Sequence, residues 1–124
     1  MLLLLLGGPF HVSHGLSNSL VLPYVLRFNS ADSKTTKNYA ELAPFIFPDI
    51  NTDQGSQAIC KEFIDKLEVL SKKIGLPQKL REVNIPKDAC KKMASDAMKQ
   101  TRLLVNNPRV MTESDALNIY EAAW

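Results

Sequence analysis

The chain has 124 residues, 45% of them hydrophobic and 23% charged, which is the length and balance of one globular domain around one hydrophobic core. This composition excludes a disordered chain, and a formal charge of +2 is too small to imply a polyanionic partner such as nucleic acid. Lys87, Lys91, Lys92 and Lys99 are interleaved with apolar positions at helical spacing, so they read as a solvated helix face.

The chain begins Met1-Leu2-Leu3-Leu4-Leu5-Leu6, a run that breaks at Gly7-Gly8-Pro9. A spanning helix needs about 20 apolar residues, and a secretory signal needs a basic residue ahead of its apolar stretch. Neither a membrane segment nor an export signal is therefore expected. Next come Phe10-His11-Val12-Ser13-His14-Gly15-Leu16-Ser17-Asn18, and the spacing predicts a helix from His14 to about Asn29. That helix is apolar on nearly every side, through Leu16, Leu20, Val21, Leu22, Val25, Leu26 and Phe28, the pattern of a central helix surrounded by others. Pro23 should kink it or end its first part. An imidazole at the start of such a helix sits at a cleft floor, and neutral imidazole is the commonest protein ligand for divalent metals. One His is not a metal site, because catalytic sites take about three protein ligands plus an open position.

A second, weaker helix is expected from Ser33 to about Phe45, halted by Pro44 and Pro48, with a loop from Phe45 to Asp53. The clearest helix starts with Asp53 as N-cap and runs to Ile74. Its residues Ile59, Phe63, Leu67, Leu70 and Ile74 form one stripe expected to face the core. Lys72 and Lys73 complement the dipole of its last turn, Gly75 is placed for a left-handed stop, and Glu62 with Lys66 forms an i,i+4 pair. A short turn covers Gln78 to Val83, and Pro86 suits the first turn of the next helix. Ala89, Met93, Ala97 and Thr101 make its narrow stripe, and Asn106-Asn107-Pro108 ends it. Thr112-Glu113-Ser114-Asp115 forms a capping box for a last helix through Ala116, Leu117, Tyr120 and Ala123. No segment alternates with period two, so the class is all-α. Cys60 and Cys90 stand alone among apolar neighbours and read as reduced, buried residues. With no Asn-x-Ser/Thr acceptor present, they favour a reducing interior, the cytoplasm.

His14-Gly15-Leu16-Ser17-Asn18-Ser19-Leu20, followed by Leu22-Pro23-Tyr24-Val25-Leu26-Arg27-Phe28-Asn29, resembles the start of the helical half of iron-containing alcohol dehydrogenases. The resemblance continues at Ile74-Gly75-Leu76-Pro77, Leu80-Arg81-Glu82-Val83 and Leu103-Leu104-Val105-Asn106-Asn107-Pro108-Arg109, and ends at Ile119-Tyr120-Glu121-Ala122-Ala123-Trp124. It implies a two-domain oxidoreductase of the dehydroquinate synthase-like fold, in which an N-terminal domain binds NAD(P) and a helical bundle-like C-terminal domain completes a metal site. The family holds Fe2+, sometimes Zn2+, with an Asp and up to three His. The resemblance places the last of those His at His14, the preceding one just before Met1, and the others further upstream. The family's Gly-rich pyrophosphate loop has no counterpart among Gly7, Gly8, Gly15, Gly55 and Gly75. Residues 7–124 thus resemble the C-terminal, metal-site-completing domain, residues 1–6 an altered or truncated start, and the N-terminal nucleotide-binding domain is the implied partner, with a small alcohol or aldehyde as substrate. Such a chain alone is not expected to catalyse or to hold metal or NAD(P) tightly.

From spacing alone His14 is a helix-start His bonded to backbone; the resemblance makes it a metal ligand. His11 could share a helix face with His14 if that turn is helical, and otherwise lines the cleft or is simply exposed. Gly15 allows close approach at the helix start or a flexible first turn. Asn18 bonds across the cleft or caps a neighbouring group. Leu103 and Leu104 are core residues in a segment that, by resemblance, approaches the substrate. Asp65, Glu68, Glu113 and Asp115 show no pairing that would support acid or base work. Two rival readings remain: a non-catalytic helical interaction module, and a metal-binding peptide using His11 and His14.

Overall fold

The structure, a computed structural model, describes residues 11–124, apart from the side chains of His14 and Leu103. The leucine run and the altered start expected over residues 1–6 lie outside the described residues. Within them the chain forms α1 (His14–Asn29), α2 (Ser33–Ile46), α3 (Ser56–Lys73), α4 (Ala89–Met98), the single turn α5 (Thr101–Leu104) and α6 (Glu113–Ala123). Two 3-10 turns, Thr52–Gln54 and Leu80–Val83, complete an all-α domain with no strand among the described residues.

Two apolar clusters replace the single core expected. One joins α2 to α3 through Ala40, Ala43, Ile59, Cys60, Phe63 and Ile64. The larger joins α1, α4 and α6 through Leu20, Val21, Met93, Ala97, Ile119 and Tyr120. Leu26 of α1 packs on the first, while Leu16, Tyr24, Val25 and Phe28 pack on the second. A helix with a core on either side must be apolar over most of its circumference, which explains the composition of α1.

Arg27 fixes the relation of α1 to α3. Its guanidinium donates to Glu68 at 2.7 and 2.6 Å and to Asp65 at 3.1 Å, while Ser19 and Pro23 share a groove with Val69 and Lys72. The two helices therefore run antiparallel, and the Ile74 end of α3 lies beside the His14 end of α1. These ions are substantially exposed, so the pairs set register more than they stabilise, at about 1 kcal/mol or less each.

Local signals fix several boundaries. Asp32 caps α2, accepting from Thr35 N at 2.8 Å and Thr35 Oγ1 at 2.7 Å. Asp115 N donates to Thr112 Oγ1 at 3.2 Å and Thr112 N to Asp115 Oδ2 at 2.9 Å, the reciprocal capping box expected at α6. Gly75, at φ +82°, ends α3 in the left-handed region as anticipated, with Leu76 N donating to Ser71 O at 3.1 Å.

Other expectations are corrected. Pro23 neither ends α1 nor divides it, and Pro44 lies inside α2, where Phe47 N still donates to Ala43 O at 2.8 Å. α3 begins at Ser56, not Asp53: Asn51 Oδ1 accepts from Asp53 N at 2.9 Å and holds a 3-10 turn, which Gly55 closes at φ +85°. The α3 stripe meets the core over its first half only, since Leu70 and Ile74 are 43% and 64% exposed. Lys66 pairs with Asp49 at 2.8 Å, not with Glu62. Pro86 precedes α4 by a separate turn, α4 stops at Met98, and Thr101 is exposed on α5, off the inward face of Cys90, Met93, Ala94 and Ala97. Cys60 and Cys90 are buried free thiols, as expected, and burial raises both above the ordinary thiol value.

Candidate functional site

The N-terminal end of α1 is set in place by apolar anchors on both sides of His14. Val12 is buried in the larger cluster, and Ser17 and Leu20 are buried one and two turns into the helix. Ser13 O accepts from both Ser17 N and Ser17 Oγ at 2.9 Å, so the first turn is closed by a buried hydroxyl. Ser13 itself makes no side-chain cap bond, and the first turn carries no acidic residue. The positive end of this helix dipole is therefore uncompensated within the described residues.

His14 is the first residue of α1; its side chain lies outside the described set, as does that of Leu103 in α5. Gly15 is exposed, and a Cβ there would meet nothing within 4 Å, so no close approach to Gly15 is made among the described residues. Asn18 follows His14 by four residues, one turn along the same flank. Its Oδ1 is buried without a hydrogen-bond partner, the one such side-chain atom found among the described residues. A buried acceptor without a donor costs about 1–3 kcal/mol. Leu22, one turn further, is 39% exposed. His11 is exposed in a non-helical segment at φ +55°, so the helical turn that would align it with His14 is absent.

Among the described residues no three His, Cys, Asp or Glu side chains group closely enough to hold a metal ion. The donor type at position 14 suits iron or zinc, but one imidazole fills about a third of a catalytic protein ligand set. A groove of about 450 Å³ between α1 and α3 lies on a different flank, around Ser19, Pro23, Tyr24 and Val69. Asp65 and Glu68 are engaged with Arg27, and Asp115 with the α6 cap.

Sequence reasoning overlooked a polar cluster at the other end of α1. Asn29 and Asn107 exchange hydrogen bonds of 3.0 and 2.8 Å, and Arg109 Nη1 donates to Phe28 O at 2.9 Å. A buried Asn closing an apolar helix was the available signal, but its partner lies 78 residues away and has no periodic relation to it.

The chain matches the model of the Fe-containing alcohol dehydrogenase family, C-terminal part, over residues 2–124. It is 33% identical over 125 residues to long-chain-alcohol dehydrogenase 1 of Geobacillus thermodenitrificans (strain NG80-2), covering 96% of this chain and 29% of that protein. It is 32% identical over 120 residues to 1,3-propanediol dehydrogenase of Citrobacter freundii, covering 96% and 30%. A solved 1,3-propanediol oxidoreductase superposes with a TM-score of 0.90 at 28% identity, over 99% of this chain and 31% of that one. The chain thus spans about 30% of the length of these relatives.

Proposed function

Because the chain belongs to the iron-containing alcohol dehydrogenase family and corresponds to its C-terminal helical domain, we propose that it serves a nicotinamide-linked alcohol dehydrogenase, or aldehyde or ketone reductase, by supplying one metal ligand, His14, and part of the substrate cleft. The flank at the start of α1 supports this reading: His14, a Gly15 that meets nothing within 4 Å among the described residues, and one turn on a buried Asn18 acceptor that no described group satisfies. The cation, Fe2+ or Zn2+, would act as a Lewis acid on the alcohol or carbonyl oxygen while hydride moves to or from NAD(P). The chain's own contribution is positional. Val12, Ser17 and Leu20 lock the first turn into the core, so His14 begins a rigid helix and not a loop. The remaining ligands and the nucleotide site belong to the nucleotide-binding domain, and the chain alone does not catalyse. Exposed Leu22, Leu70 and Ile74 suit burial against that domain. Buried free thiols at Cys60 and Cys90 accord with a cytoplasmic setting.

The alternative is a non-catalytic interaction module, which exposed Phe45 and Val110, 85% and 89% accessible, would suit. Metal analysis separates the two. The expected result is no stoichiometric tight iron or zinc on the 124-residue chain, stoichiometric metal on the same domain joined to its nucleotide-binding half, and loss of that metal in His14→Ala. Tight metal on the chain alone, or full metal retention by His14→Ala, would overturn the proposal.

A further inference from the structure

Asn18 Oδ1 is a buried acceptor with no donor among the described residues, and the chain around it leaves that need standing. The hydroxyls on either side of it in sequence are spent on the helix itself: Ser17 Oγ donates to Ser13 O and Ser19 Oγ to Leu16 O, both at 2.9 Å. A helical side chain leans toward the N-terminus and covers the turn before its own Cα. For Asn18 that turn presents positions 14 and 15, three and four residues back. Gly15 brings no side chain to it, and no described side-chain atom stands within 4 Å of where a Gly15 Cβ would be. The side chain that shares the flank with Asn18 at this end of α1 is therefore the imidazole at position 14.

An imidazole that gives one ring nitrogen to a cation keeps a proton on the other, and that N–H needs an acceptor to fix the tautomer and the plane of the ring. The first turn of α1 holds no carboxylate for the task. A carboxamide oxygen one turn on meets it without adding charge, and its burial keeps bulk water from competing for the bond. We infer that Asn18 is a positioning residue for the metal: its Oδ1 accepts the ring N–H of His14 that the cation leaves protonated, and so holds the other ring nitrogen toward the cation. A buried acceptor left unanswered in the chain by itself is what such a role requires, because its donor is fixed only when the metal is bound. The assignment rests on the function proposed above through His14; the orphaned acceptor and its place one turn from position 14 do not.

Zinc affinity tests this on the domain joined to its nucleotide-binding half, read by competition against a chelator. His14→Ala should lose stoichiometric zinc. Asn18→Leu should weaken zinc binding about 10- to 100-fold, while urea unfolding of the metal-free protein shows no loss of stability. Asn18→Asp keeps an acceptor oxygen and makes the ring a more basic ligand, so it should hold zinc at least as tightly as the unsubstituted protein. Undiminished zinc affinity in Asn18→Leu overturns the inference. An equal loss in both Asn18 variants, or a loss matched by lower stability of the metal-free protein, marks a merely structural role and overturns it as well. If Asn18→Leu does not fold, Asn18→Ala takes its place with the same outcomes. Zinc retained by His14→Ala contradicts the proposed function and this assignment with it; zinc lost there but held at full affinity by Asn18→Leu removes the assignment alone.

Discussion

The two ends of α1 are finished in opposite ways. At the C-terminal end Arg27 is paired with Asp65 and Glu68, Asn29 is matched donor for acceptor by Asn107, and Arg109 takes Phe28 O. At the N-terminal end, among the described residues, Ser13 makes no side-chain cap bond, the first turn holds no carboxylate, Gly15 has no neighbour where a Cβ would stand, and Asn18 Oδ1 is buried without a donor. Both ends belong to one helix of about 24 Å, at 1.5 Å per residue. An end whose polar groups are all answered within the chain is a structural end. An end where a buried acceptor is unanswered among the described residues is, on the function proposed above, where a group of the nucleotide-binding half would enter.

This contrast can be broken by substitution. Asn29→Leu removes both hydrogen bonds of the Asn29–Asn107 pair and leaves Asn107 Nδ2 only Arg109 O, so it should destabilise the chain by about 1–3 kcal/mol in urea unfolding. A loss below about 1 kcal/mol would mean that the closed end is not held by its polar pair. Asn18→Leu should do the reverse and stabilise the isolated chain by about 1 kcal/mol, because it removes an unsatisfied acceptor. The same change should weaken the joined enzyme, as expected where stability is given up for a binding site. Destabilisation of the isolated chain would show that Asn18 is already satisfied. Gly15→Ala has a helical backbone and room for the Cβ, so about 0.5 kcal/mol of stabilisation is expected, read as a small rise in Tm.

Acid gives the smallest effect per group. Thr35 holds the Asp32 carboxyl below the usual carboxylate range by hydrogen bonding through its side chain and backbone, and Thr112 does the same for Asp115. A carboxyl lowered in the folded state binds its proton less readily than in the unfolded chain. Its contribution is therefore complete above the unfolded value near 3.9 and is lost as pH falls through the lower folded value. Thermal scans from pH 5 to 2 should show a shallow fall in Tm beginning near pH 4, flattened in Asp32→Asn. An unchanged profile in that variant would remove the cap from the account.

What the sequence made legible is what neighbouring residues decide. The spans of α1 and α6, the Thr112–Asp115 box and the Gly75 stop are each fixed within one or two turns of chain. The start of α3 was ambiguous because Asn51, Asp53 and Gly55 can all punctuate a helix, and the Asn51 turn moved the start to Ser56. The break between α4 and α5 has no Gly or Pro to announce it; Lys99 and Gln100 simply shift to i−3 bonds. Leu70 and Ile74 obey the core periodicity of α3 yet remain exposed, because periodicity marks a buried face without saying which chain buries it. The Asn29–Asn107 pair was invisible for the same reason that it is informative: its two halves meet only through the tertiary fold. At the open end, position 14 and its helix start were legible, and the unsatisfied acceptor at Asn18 was not.

Anomalous diffraction at the metal edge, from crystals of this domain joined to its nucleotide-binding half, is the most direct measurement. The account predicts an iron or zinc peak about 2.0–2.1 Å from an imidazole nitrogen of His14, with Gly15 and Asn18 on the same side of the cleft. A peak held entirely by other residues, with the His14 ring turned away, would contradict it.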